Sequence, residues 1–126
     1  MSVYPHGDYV DVPTRPGIRA RSLIGPAHGI TEFFLHENWL EEGAAIPLHT
    51  HPVDEVVIVT EGALTVEAGG EVQVVPGGHT VVIPPDMPHR LSNHGADAVH
   101  MMAAAAWNHA TFYREGTCYL EGTPRE

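Results

Sequence analysis

The chain has 126 residues, 43% of them apolar, and a formal charge of −10 from sixteen acidic side chains against six basic ones, all Arg. The acidic balance argues against nucleic acid as a partner, because phosphate binding needs a basic face, and the absence of Lys excludes Schiff-base chemistry on a lysine amine. No run reaches the roughly 20 apolar residues of a membrane span, no basic and apolar leader opens the chain, and the lone cysteine, Cys118, rules out an intrachain disulfide, so a single cytoplasmic domain over 1–126 is expected.

Eleven Pro and thirteen Gly fall between short β-branched runs, the pattern of an all-β barrel or sandwich. The first predicted strands cover 9–12, 18–24 and 31–39. Arg19 and Arg21 alternate and share a face. They suit either a clamp on a substrate carboxylate or a solvated or dimer-facing strand, and the second reading is favoured. His36 alternates with Phe34 and Asn38. The next strands, 44–51 and 55–60, flank a corner at Pro52, Val53 and Asp54, since Pro fixes φ and Asp favours turns. In a strand, alternate side chains share a face. His49 and His51 therefore point the same way, with Ala45 and Pro47, and the corner is expected to fold Glu55 back beside them in a hairpin. Val57 and Val59 share the face of Glu55.

Strands at 63–68 and 71–75 are joined by Gly69-Gly70, a hairpin signal. Further strands are predicted at 80–83 and 89–93, where Leu91 and Asn93 share the face of His89. The segment 98–107 is ambiguous, because its alanines favour helix. One last candidate covers 111–113. His49, His51, Glu55 and His89 together offer three imidazoles and one carboxylate, a donor set for one divalent first-row metal: Fe, Mn, Ni, Cu, Co or Zn.

The flanking residues carry a family resemblance. Gly43, His49, His51, Glu55 and Gly62 stand at the spacing of the first motif of the cupin superfamily. Gly78, Pro84, Asp86, His89 and Asn93 follow the second. Asp86 is the one departure, standing where the family has Gly; Asp is among the few residues that tolerate the left-handed region, so the turn is expected to survive. The chain thus resembles a small bacterial-type cupin. The resemblance implies a double-stranded β-helix, or jelly-roll barrel, with its core over about 30–107 and with 98–107 as a strand. It also implies metal binding by His49, His51, Glu55 and His89.

Fold alone does not choose an activity. Expected first is a metal-dependent, dioxygenase-like enzyme on a small organic substrate. The alternatives are a non-redox isomerase or decarboxylase, or a module that binds or senses a small ligand without chemistry. His36 and His100 are the candidate acid–base residues, because imidazole titrates near neutrality. Alanines on one face of 98–107 would leave volume for a ligand. Arg90, next to His89, should point outward, and His79 and His94 should be exposed. Trp39, Trp107, Phe112 and Tyr113 suit a pocket mouth or a subunit interface, and a homodimer is expected, as small cupins often pair through terminal strands.

Overall fold

Short β-branched runs with one apolar face each fold the chain into two facing antiparallel sheets. The computed structural model describes residues 1–106 in full and the strands Thr111–Arg114 and Thr117–Leu120 through their backbone pairing. In chain order the strands are β1 (Val10–Asp11), β2 (Ile18–Ile24), β3 (Phe34–Leu40), β4 (Ala45–Thr50), β5 (Glu55–Glu61) and β6 (Ala63–Ala68). They continue as β7 (Glu71–Pro76), β8 (His79–Ile83), β9 (His89–Ser92), β10 (Val99–Ala105), β11 (Thr111–Arg114) and β12 (Thr117–Leu120). A 3-10 turn at Pro26–His28 and the strand β12 were not anticipated.

One sheet runs β1-β2-β3-β10-β5-β8 and the other β12-β11-β4-β9-β6-β7. From β3 to β6 the chain crosses to the facing sheet at each connection, which is the connectivity of a jelly roll. The expected hairpin at Glu55 is therefore corrected. β4 and β5 lie in different sheets, and the corner between them is a crossover.

Alternation predicts the inner faces wherever a strand is regular. On β5, Glu55, Val57 and Val59 are buried while Val56 and Ile58 are only partly so. On β10, Val99, Met101, Ala103 and Ala105 are buried and the residues between them are not. Val99–Ala105, within the ambiguous segment, thus forms a strand, packing having overridden the helical propensity of its alanines. The core fills with Leu40, Val57, Leu64, Leu91 and Met101, each at most 1% exposed.

On β4 the expected face is wrong. The register against β9 shifts between Ile46 and His49. This bulge falls at Pro47, which has no N–H to give to a ladder. A bulge resets strand parity, so Ile46 turns inward with His49, while Ala45 and Pro47 are half-buried and Leu48 is exposed.

Candidate metal centre

Three elements converge at one end of the barrel. His49 lies near the end of β4 and His51 follows it, Glu55 opens β5, and His89 opens β9. The ladder sets His49 directly opposite His89. Glu55 reaches the histidines from the facing sheet. The turn leading into β9 is clipped to the end of β4, because the Asp86 N–H donates to the His51 carbonyl at 2.7 Å. All four side chains are buried, at 1–2% exposure. One ligand atom from each falls in a set whose members all lie within 4.8 Å of one another.

Hydrogen bonding orients two of the rings. His49 Nδ1 lies 2.7 Å from the Pro47 carbonyl, and His89 Nδ1 lies 2.8 Å from the Met87 carbonyl. A carbonyl only accepts, so each Nδ1 carries a proton, which leaves Nε2 as the nitrogen each ring turns to the cluster. Fixing the outer nitrogen this way is how metal-binding histidines are commonly held. Nothing in the spacing identified these two carbonyls. The same two-residue step back from each histidine is visible only with the backbone in place.

Burial alone would raise the Glu55 carboxyl. Contacts from His51 and His89, with the nearby His49, outweigh it and hold the group well below the usual carboxylate range. Glu55 Oε2 lies 2.7 Å from His51 Nε2, and Oε1 lies 3.4 Å from His89 Nε2. A buried carboxylate without compensation is costly. Three imidazoles and an ionised carboxylate directed at one small volume fit a divalent first-row ion.

The structure separates the two acid–base candidates. His36 is buried on the inner face of β3, its ring tilted against Phe34 with centres 4.8 Å apart, and paired across the ladder with Ala103. Ala103 and Ala105 stand between it and Glu55, so the inner wall there is shallow. His100, by contrast, sits on the outer face of β10. Its Nε2 donates to Glu37 Oε2 at 2.7 Å, its Nδ1 meets the Thr60 hydroxyl, and its ring lies tilted against Trp39 with centres 4.6 Å apart. The sheet therefore stands between His100 and the buried cluster, which corrects the expectation that it reaches the pocket. The reason is parity, since His100 alternates with the inward Met101.

Arg21 also faces outward. Its Nε donates to Glu37 Oε1 at 2.7 Å, so it serves a network and not a substrate clamp at the cluster. Arg90 is exposed and lies 3.6 Å from Glu67, and His79 and His94 are exposed. Asn93 is buried, but its side chain braces backbone, donating to the Leu40 and Asp97 carbonyls. Trp107 and the side chains of Phe112 and Tyr113 lie outside the described residues.

Comparison with known proteins agrees with this geometry. The chain is 34% identical over 84 residues to a Streptomyces cyaneus protein named polyketide synthase CurC, an alignment covering 65% of this chain and 54% of that protein. The chain thus spans about half the length of that curated relative. Among solved structures, the polyketide cyclase RemF from Streptomyces resistomycificus superposes with a TM-score of 0.71 at 22% identity, covering 83% of this chain and 78% of that one. A cupin-like protein from Thermotoga maritima gives 0.71 at 19% identity, covering 93% and 92%. Both structures share the fold. The model of the cupin domain matches residues 39–105, which hold both motifs and all four clustered ligands, and the chain belongs to the cupin family.

Proposed function

We propose that this cupin is a metal-dependent enzyme of the cytoplasm that acts on a small organic substrate with two oxygen donors, specifically a β-polyketone or a related β-diketone. The observation that carries the reading is the buried His49, His51, Glu55 and His89 set, with the His49 and His89 rings oriented through their Nδ1 atoms. The substrate class is supported by the two relatives whose names contain polyketide. A divalent ion held by these four residues (Fe, Mn, Ni, Cu, Co or Zn) would supply Lewis acidity to carbonyl oxygens.

The remaining work falls to the chain's own side chains. The carbon between two carbonyls is acidic, and His36 accepts its proton as general base. The carbanionic carbon then forms a bond to a second carbonyl carbon of the same chain. His36 returns the proton to the oxygen of that carbonyl, and the hydroxyl so formed leaves as water with the remaining proton of the acidic carbon, so the sequence is redox-neutral and the ring product is lighter by one water. About 10 Å of sheet separates β3 from β5, so a substrate joining the ligands to His36 would pass over Ala103 and Ala105, the small side chains of β10 between them. Phe34 and Val57, both buried, make the surroundings of that path apolar.

A second reading is a dioxygenase, favoured by the same ligand set, which with iron would bring oxygen and substrate together. A third is ligand binding without chemistry. We also propose a homodimer, because the outer face of β10, β5 and β8 presents Met102, Ala104, Val56, Ile58 and Val82 with no charge among them. A monomer mass by light scattering at micromolar concentration would refute it.

Elemental analysis of protein expressed without added metal or a metal-affinity tag is the first test. About one transition metal ion per chain is expected in the wild type, and loss of it in His49→Ala and His89→Ala. Metal retained at the wild-type level in both variants would sink the assignment. The loaded protein is then given a linear triketone under nitrogen and under air. A metal-dependent product lighter by one water under nitrogen supports ring closure. Oxygen uptake with gain of oxygen atoms supports the dioxygenase, and binding without conversion supports the binding module.

A further inference from the structure

The ends of the two sheets opposite β1 and β12 are the edge strands β8 and β7. Between them opens a cavity of about 630 Å³. That volume falls within the usual range of about 300–1,000 Å³ for small-molecule sites. Its inner walls come from both sheets and are apolar, with Val66 and Val75 on one side, Val81 and Ile83 on the other and Met87 across the end, while Glu71, Gln73 and His79 make its exposed rim polar. Met87 lies against Gly69, where an added Cβ would come within 3.1 Å of it.

The inner end of this crevice adjoins the ligand cluster. Ile83 is the ladder partner of Glu55, and Ala68, another lining residue, is the ladder partner of His89. Directly paired residues share a face and lie within about 5.5 Å. Ala68 is small, so the wall beside His89 is shallow. The strand order β3-β10-β5-β8 puts His36 and the crevice on opposite sides of Glu55. A chain lying in the crevice would therefore continue past the ligands toward His36. The rim includes the exposed Glu71, and the molecule is acidic, so an anionic chain is disfavoured there.

We infer that this side crevice is the subsite for the apolar chain of the substrate, entered between β7 and β8. The inference rests on the metal-dependent reading of the cluster, and it adds a preference for substrates with a long unbranched apolar arm.

The test is calorimetric binding of two β-diketones, acetylacetone and the long-chain lauroylacetone, to zinc-loaded protein. Burial of a methylene is worth about fourfold in affinity, so lauroylacetone should bind the wild type at least tenfold more tightly. Val81→Trp fills the crevice and should abolish that gain while leaving acetylacetone affinity within twofold. Gln73→Trp does the same from the exposed rim of β7, where a larger side chain leaves the core intact. Equal affinity of the two diketones for the wild type, or a gain that survives both substitutions, overturns the subsite alone. Failure of acetylacetone itself to bind the zinc-loaded protein overturns the β-diketone reading of the metal site and the subsite with it.

Discussion

Asp86 has a backbone φ of 63°, the left-handed region, and among the described residues no other non-glycine does so. Its N–H holds the His51 carbonyl at 2.7 Å, so this strained position ties the loop before His89 to the loop after His49. An L-residue in that region costs about 1–2 kcal/mol, and Asp less than most. Asp86→Gly should therefore keep the metal and be neutral or slightly more stable. Asp86→Val should lose about 1–2 kcal/mol. Urea unfolding of the three proteins checks this, and a Val variant as stable as wild type would refute it. The same residue shows what spacing conveys. Order and residue type identified the four clustered side chains and anticipated that Asp would tolerate the turn. They carried no trace of the Pro47 and Met87 carbonyls, because a backbone acceptor has no residue-type signature.

Glycines at strand ends show how far pattern reaches at the scale of an element. Gly43 and Gly62 both belong to the first motif and both have positive φ, at 82° and 79°. Their surroundings differ. A Cβ on Gly43 would meet nothing within 4 Å, whereas one on Gly62 would lie 2.6 Å from the Ala98 carbonyl oxygen and 3.0 Å from Val99 Cα. Gly43→Ala should cost about 1 kcal/mol, for conformation alone. Gly62→Ala adds a clash between backbone atoms of the β5–β6 turn and the start of β10, and should cost more than about 2 kcal/mol. Equal losses in denaturant titrations would show that the turn yields freely. Sequence could not rank the two, since the motif records a glycine and not what crowds it. Alternation behaved likewise. It read β5 and β9 correctly, failed on β4 where the Pro47 bulge resets parity, left open on β10 whether His100 faced in or out, and could not say that β4 and β5 occupy different sheets. A period of two fixes which face a residue takes within a strand, and long-range pairing decides which sheet receives that strand.

At the scale of the whole molecule, one buried carboxylate ties three strands and the N-terminal residues together on the outside of the barrel. Glu37 of β3 accepts from Arg21 of β2 at 2.7 Å, from Tyr9 beside β1 at 2.9 Å, and from His100 of β10 at 2.7 Å. Arg21 extends the network to the Gly7 carbonyl at 3.0 Å, and its guanidinium lies 4.1 Å from the Tyr9 ring centre. Burial alone would raise the Glu37 carboxyl. The hydrogen bonds from Arg21, His100 and Tyr9 outweigh it and lower the group from 4.5 to about 2. A carboxyl whose pKa is lower in the folded chain than in the unfolded one stabilises the fold in its ionised form. That contribution is fully present above about 4.5 and is lost as pH falls through about 2. Wild-type stability should therefore decline across this window, with the unfolded chain taking up protons that the folded chain resists. Glu55 is held low as well, so acid acts on both groups, and substituting Glu37 alone isolates its share. Glu37→Gln should be less stable than wild type at neutral pH, and its stability should fall less steeply between about pH 4.5 and 2, by up to one proton in the slope. Urea midpoints taken across that range read both effects. Parallel curves for the two proteins would mean that the network outside the barrel does not contribute to acid sensitivity, and would leave the decline to Glu55 and the other carboxylates.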